Sequence, residues 1–430
     1  MNTKILVRDV IKITKAKMIQ GNLEQECYDF AYDTRQMNPN DVYIGLKTEK
    51  SDGSYYWQEA FKKGANIVII NEINIDKKDL EKWENKTILV VKDSLIALQQ
   101  IATYKRSLYG NNLKVIAITG SVGKTSTKDM IASVVSQKYK TLKTMGNYNN
   151  HIGVPLTLLR LKDEQVAVIE MGMNHTGEIE TLTKIARPDI AVITNIGTSH
   201  IGNLGSRENI LKAKLEILDG MDRKEIIINS DNDLLQKWSE SNKEDIKIHG
   251  FAIENINDEK IEVWADNINL KENSSDFTCH TDKQKVKLKV QVGGTHFIYN
   301  ALCATLVGKI LDIDMQDIKK GVETFELTKK RMEVTKLKNN ITVINDAYNA
   351  SPEAVKASIK NLKTYKMGRK IAVLGDMLEL GEFSEKLHKD IGDFVAENGI
   401  DILICSGINS KYIIDKAIEK GVKDVHYFKE

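Results

Sequence analysis

Val115-Ile-Ala-Ile-Thr-Gly-Ser-Val-Gly-Lys-Thr-Ser-Thr127 decides how the rest of the chain is read. A β-branched apolar run ends at Thr119, a short glycine turn follows, and Lys124, Thr125 and Ser126 open a stretch that reads as a helix through Val135. A strand, a tight loop and a helix N-terminus in that order make a phosphate cradle, because backbone N–H groups point at the ligand and the helix dipole favours its negative charge. The pattern predicts a nucleotide site in which the backbone of Gly120, Ser121, Val122, Gly123, Lys124 and Thr125 wraps phosphate oxygens. Lys124 would reach the β/γ-phosphates, and the Thr125 hydroxyl would take one position on Mg²⁺. Gly120 and Gly123 enclose only Ser121 and Val122, a shorter gap than the general phosphate-loop pattern has.

The surrounding composition is that of an ordinary globular protein. At 430 residues the chain is too long for one average core, and roughly 150 residues per domain suggests about three domains. Hydrophobic residues make up 41% and charged residues 28%, and the net charge of +2 argues against an obligate nucleic-acid partner. Cys27, Cys279, Cys303 and Cys405 lie far apart with no CxxC pair, which predicts buried thiols in a reducing cytoplasm. Charges break every apolar run near the N-terminus, and no run approaches the ~18 residues needed to cross a bilayer. The expectation is a cytoplasmic protein with no signal peptide and no membrane span, a monomer by default.

Working outward, residues 1–106 read as a first, small α/β unit, with strands at Asp41–Leu46, Ala65–Ile70 and Thr87–Val91 and helices at Tyr56–Lys63 and Ser94–Leu108. The charged segment Asn71–Lys86 reads as a solvated helix face or loop. Residues 107–325 alternate strand and helix: strands at Val166–Met171, Ile190–Ile196 and Glu225–Asn229 predict a central, mostly parallel sheet with helices on both faces. Alternating strands within 261–293 predict a small antiparallel flap on the same domain, followed by helices at Phe297–Ile310 and Met315–Phe325. Residues 326–430 form a C-terminal Rossmann-like α/β unit whose parallel strands are read at Ile341–Ile344, Lys370–Leu374 and Asp401–Cys405. The fold class is therefore α/β in three domains.

Loops after the C-terminal ends of parallel strands converge on one crevice. That places Glu170 and the Thr198-Ser-His200 loop beside the phosphate loop, a carboxylate and an imidazole able to accompany Thr125 around Mg²⁺, although hard cations prefer oxygen. Lys212 and Lys214 lie on the following helix, and pattern alone places both in solvent.

The segments TGSVGKTST (119–127), MGNYNNHIGVPLTLL (145–159), EMGMNHTGEI (170–179), TNIGTSHIGNLGS (194–206), ENILKAKLEIL (208–218), NDAYNASPEAV (345–355) and LGDMLELGEFSEKLHKDIG (374–392) resemble the ATP-dependent Mur ligases of peptidoglycan synthesis, in order and over almost the whole chain. The short glycine gap is normal in that family. The likeness is greatest to the branch that joins D-alanyl-D-alanine to UDP-N-acetylmuramoyl-tripeptide through an acyl phosphate. The branch adding a single third amino acid is the alternative, but its expected Asp-Asn-Pro-Arg segment does not occur here. A non-catalytic nucleotide-binding relative would have no need of Lys124, Glu170, His200 and Lys214 together.

The resemblance implies roles for individual residues. ATP would be bound by the 120–126 loop, Ser126 included, and by Asn300, Arg331 and Asp346. Two Mg²⁺ ions would be held by Thr125, Glu170, His200 and a carbamylated Lys214. Asp33, Thr34 and Arg35, with Asn147, Asn149 and Asn150, would serve the UDP-linked substrate, and Asn349 and Ser351 the incoming dipeptide. Thr48, Ser54 and His151 depart from residues common in the family. The chain stops at Glu430, ahead of a final strand and Lys-Gly-Ser segment that the resemblance places near the C-terminus.

Overall fold

The strand Lys114–Thr119 lies inside a nine-stranded sheet. From one edge the sheet runs Thr141–Lys143, Val166–Glu170, Lys114–Thr119, Ile190–Ile193, Glu225–Asn229, Lys247–Ala252 and Ile261–Leu270, all paired in parallel. Ser275–Thr281 and Lys285–Val290 extend it antiparallel, so the predicted flap is continuous with the central sheet. The inner strands are buried on both faces, which is why they read as unbroken apolar runs rather than alternating ones. This computed structural model describes residues 3–242 and 245–429; Glu430, where the sequence stops, lies outside the described residues.

Helices cover both faces of that sheet. Lys124–Val135, buried along nearly its whole length, packs against Thr295–Ile310 on one side of the sheet. On the other, Gly153–Leu159 and Glu178–Ala186 meet Ser94–Ser107, a helix that follows directly from the first unit. Arg106, at the end of that helix, is buried and donates to the Ala186 carbonyl (3.1 Å) and to Asp189 (3.3 Å), which ties the two units together.

The first unit holds a five-stranded sheet ordered Lys17–Gln20, Thr87–Val91, Ile67–Asn71, Val42–Ile44 and Phe30–Ala31, in which only the first strand is antiparallel. Within the charged segment a short helix, Lys77–Lys82, buries no residue.

In the third unit Ile371–Gly375, Ile402–Ser406 and Asp424–Phe428 pair in parallel. The strand expected at Ile341–Ile344 does not join them. Thr342–Asn345 pairs antiparallel with Glu333–Lys336 in a separate ribbon. Asn339 and Asn340, with φ of 60° and 57°, turn the chain back on itself, a left-handed pair that matches strand twist and makes a hairpin. The third parallel position is filled instead by Asp424–Phe428.

All four cysteines are buried and unpaired, as expected. Among the described residues no helix is long and apolar enough to cross a membrane.

Candidate active site

Strand register brings the chemistry together. Glu170 pairs with Ile118, and Ile193 with Thr119, so the phosphate loop, Glu170 and the loop after Ile193 leave the sheet side by side. The sheet order reverses there: the chain goes from Lys114–Thr119 to strands on one flank and then crosses to the other, which opens a crevice at the strand ends.

The phosphate loop is braced from that neighbouring strand. Thr194 Oγ1 and Asn195 Nδ2 both donate to the Val122 carbonyl, at 2.7 and 3.0 Å. Gly120 has φ of 149°, and a Cβ there would lie 1.9 Å from Thr194 Oγ1, so only glycine fits. Ser121 N–H donates to the Asn195 carbonyl (3.0 Å) and Val122 N–H to Asn195 Oδ1 (3.1 Å). Those two amides are therefore engaged within the protein, a correction to the expected cradle of consecutive N–H groups. The first turn of Lys124–Val135 still presents N–H groups that a helix cannot satisfy internally. Lys124 Nζ folds over the loop, donating to the carbonyls of Gly120 (2.8 Å) and Ser121 (3.3 Å).

Glu170 is 2% exposed, and its Oε1 accepts from Thr125 Oγ1 (3.2 Å) and Asn149 Nδ2 (2.8 Å). Its Oε2 is buried and has no hydrogen-bond partner among the described residues. Lys128 Nζ lies 3.7 Å from that oxygen and 3.5 Å from Asp129, which also meets Lys143 (2.8 Å) and the Thr328 hydroxyl (2.6 Å). An orphaned carboxylate oxygen beside a hydroxyl fits a hard divalent cation. Among the described residues no group of three His, Cys, Asp or Glu gathers to hold an ion by itself, so such a cation would need water and phosphate ligands as well.

Lys214 is 1% exposed, which overturns its solvent-facing placement from pattern; Lys212 is exposed. Burial pushes the Lys214 amine well below the ordinary lysine range, and the like charge of Lys124 adds to the effect. Among the described residues no carboxylate pairs with it. Burial also lowers Lys124, against the pull of Glu170. It lowers His200 too, against Glu379, whose carboxylate faces the imidazole Nδ1; Lys124 and Lys214 reinforce the downward shift.

Two cavities meet at the loop. The larger, about 350 Å³, is lined by Lys124, Thr125, Glu170, His200, the Asn147, Asn149 and Asn150 segment, and Asn349 and Ser351 from the third unit. The smaller, about 130 Å³, is lined by Ser126, Asn300, Asp346, His296 and the apolar Phe251 and Phe297. Arg331 borders both, donating to Thr125 Oγ1 (3.0 Å) with its guanidinium 4.3 Å from the centre of the Tyr348 ring. Asn300 Oδ1 accepts from Thr127 (2.9 Å), and Asp346 accepts from Met332 N–H (3.1 Å) and Ser358 (2.5 Å). Burial raises the Asp346 carboxyl despite these donors.

Asp33, Thr34 and Arg35 line neither cavity. Arg35, itself exposed, is paired with the half-buried Asp33 at 2.7 Å, and the buried Thr34 donates to Glu59 (2.8 Å). Nor does Lys214 line the larger cavity, although it is close enough to bear on His200. Thr194, Asn195, Lys128, Tyr348 and Glu353 complete the site without being predicted. Polar residues directly after the apolar strand Ile190–Ile193 were the available signal for the first two.

Three family descriptions match in sequence: "Mur ligase family, catalytic domain" over residues 29–106, "Mur ligase middle domain" over 118–308 and "Mur ligase, glutamate ligase domain" over 330–430. The chain is 37% identical over 420 residues to the UDP-N-acetylmuramoyl-tripeptide–D-alanyl-D-alanine ligase of Bacillus subtilis, covering 95% of this chain and 88% of the relative. Its structure resembles MurF from Acinetobacter baumannii with a TM-score of 0.87 and 32% identity, covering 99% of this chain and 90% of that one. MurF from Thermotoga maritima in complex with ADP is similar with a TM-score of 0.76 and 26% identity, over 94% and 93% of the two chains.

Proposed function

The chain belongs to the Mur ligase family, and we propose that it joins D-alanyl-D-alanine to UDP-N-acetylmuramoyl-tripeptide in peptidoglycan synthesis, driven by conversion of ATP to ADP and phosphate. The observation that carries this reading is the larger cavity, where the phosphate loop, an orphaned buried carboxylate oxygen, the Asn147–Asn150 segment and the Asn349–Ser351 segment of the third unit share one space.

The smaller cavity, part apolar and part amide-lined, suits a nucleoside, and its border at Val122 and Gly123 leads the phosphates toward Lys124. The tripeptide carboxylate attacks the γ-phosphorus, giving an acyl phosphate and ADP. The dipeptide amine then attacks the acyl carbon, a tetrahedral intermediate forms, and phosphate leaves as the amide is made. Two anions must meet in the first step, so the chain's main task is to neutralise charge and hold geometry. Lys124 would leave the Gly120 and Ser121 carbonyls for the phosphates, and Arg331 stands where developing charge on the transferred group needs a donor.

Two Mg²⁺ ions, when bound, would supply further charge neutralisation, the first held by Thr125 and Glu170 and the second by His200 and a carbamate on Lys214. A neutral buried amine can add CO₂ and release a proton, which replaces a cation with an oxygen anion and suits the depressed Lys214 amine. Residues 1–106 and the Asn147–Asn150 segment are assigned to the UDP-linked substrate, 107–325 to ATP, and 326–430 to closing over ATP and receiving the dipeptide. Asp33, Thr34 and Arg35 are kept in the first role, reached by substrate extending beyond the cavity. An ATP-dependent reaction on a nucleotide-linked precursor, with buried free thiols, suits the cytoplasm, and a monomer is kept as the default state.

Phosphate release from ATP in the presence of UDP-tripeptide tests the reading, with D-Ala-D-Ala, with single amino acids, and with neither. Release that requires the dipeptide is expected. Release supported by a single amino acid would assign the other branch, and release without either would mean an ATPase.

A further inference from the structure

The loop that carries His200 is gripped from the third unit at two separate points. At its start, Glu353 Oε1 accepts from both the backbone N–H (2.7 Å) and the hydroxyl (2.9 Å) of Thr198. Glu353 lies in the first turn of the helix Pro352–Leu362, so this contact joins the third unit to the strand end of the central sheet. At the loop's other end, Gly202 N–H donates to the Glu379 carbonyl at 3.0 Å, and the Glu379 carboxylate faces His200.

Glycines make both approaches possible. A Cβ on Gly197 would lie 2.6 Å from the Glu353 carboxylate. One on Gly202 would lie 2.5 Å from Gly381 N and 2.8 Å from the Glu379 carbonyl, backbone atoms that cannot swing aside. Between the two grips, His200 adopts φ of 64°, an uncommon conformation for a residue with a side chain, which persists only where its surroundings impose it.

We infer that Glu353 and the Glu379–Gly381 turn are positioning elements for His200, so that the imidazole reaches its working place only when the third unit is docked on the central one. The Glu379 carboxylate faces one ring nitrogen as a charge contact, and a fixed anion on that side favours one setting of the ring over the others. Domain docking and assembly of the site thereby become one event. This inference rests on the ligase reading above, in which His200 serves the phosphate side of the reaction.

The test uses the full chain, with wild-type, dipeptide-dependent phosphate release measured first. Its absence overturns the ligase reading itself, separately from the clasp. Gly202→Ala breaks one grip away from both cavities, and Glu353→Leu breaks the other while keeping side-chain bulk. Each is expected to lower kcat at least tenfold, and Gly202→Ala to keep ADP affinity within threefold of wild type. His200→Ala, damaging in the wild type, should cost less than a further twofold in the Gly202→Ala background, because the imidazole is already misplaced there. A kcat within twofold of wild type in either single variant, ADP affinity lost by Gly202→Ala, or effects of His200→Ala and Gly202→Ala that multiply would each overturn the clasp. A general loss of packing would not produce that non-additivity.

Discussion

Lys128 Nζ stands 3.7 Å from Glu170 Oε2, the oxygen of that carboxylate to which no described residue makes a hydrogen bond. Both side chains are 2% exposed, and Asp129 adds a second buried carboxylate 3.5 Å from the same amine. One buried cation thus faces two buried anions, with Lys143 also meeting Asp129 and Lys124 within electrostatic reach of Glu170. Lys128→Met keeps the apolar stem and removes that charge. Leaving buried carboxylates without their partner is expected to destabilise the fold by about 3 kcal/mol. Urea unfolding measures this, and Mg²⁺ should restore more stability to the variant than to wild type. Equal stability would show that the pair is not a necessary counter-charge.

Lys124 behaves differently, because among the described residues its hydrogen bonds go only to its own loop. Lys124→Ala is expected to leave unfolding nearly unchanged while turnover falls about 100-fold or more, the scale seen when a preorganised donor to transition-state charge is lost. Near-normal turnover would remove the phosphate-loop assignment.

The contrast between these two lysines shows where sequence reading stops. Lys124 is legible because a strand, a glycine turn and a helix start fix its position locally. Lys128 sits one helical turn further on, and nothing local tells that it faces Glu170 rather than solvent. The same holds for Lys214: its burial depends on packing of the Arg207–Leu215 helix against the rest of the central unit.

At the level of the fold, Val115–Ile118, Val166–Ile169 and Ile226–Ile228 were plain because strands buried on both faces are continuously apolar. The ribbon of Glu333–Lys336 and Thr342–Asn345 was not, since its strands are short and bury no residue fully. Its signal lay in Asn339-Asn340, a pair suited to the left-handed turn it forms. Asp424–Phe428 was hidden for a similar reason: charge and histidine interrupt it, and only pairing with Ile402–Ser406 makes it a strand.

Lys214→Ala is expected to abolish ligation, with partial rescue by short carboxylic acids that return an anionic oxygen near His200. Burial favours the neutral amine, the form that adds CO₂, so wild-type activity should also fall in CO₂-free buffer and recover on adding bicarbonate. Full activity of the variant without any additive would refute the carbamate.

His296 supplies a pH test independent of catalysis. It lines the smaller cavity with its ring 4.2 Å from that of Phe297, and burial lowers its imidazole to about 4. An unfolded chain binds a proton at this position near pH ~6.5, whereas the folded protein resists it until about pH 4. The unfolded state therefore holds more protons between those values. The neutral ring's stability is fully present above ~6.5 and is lost progressively as pH falls toward the folded value, with a slope of up to about 1.4 kcal/mol per pH unit. His296→Gln has no such titration. The difference in unfolding free energy between wild type and His296→Gln should be constant from pH 8 to 7, as chosen for measurement with ~0.5-unit steps, and should shift against wild type below ~6.5. A difference that stays flat down to about pH 5 would show that the ring is protonated as readily in the folded protein as in the unfolded chain.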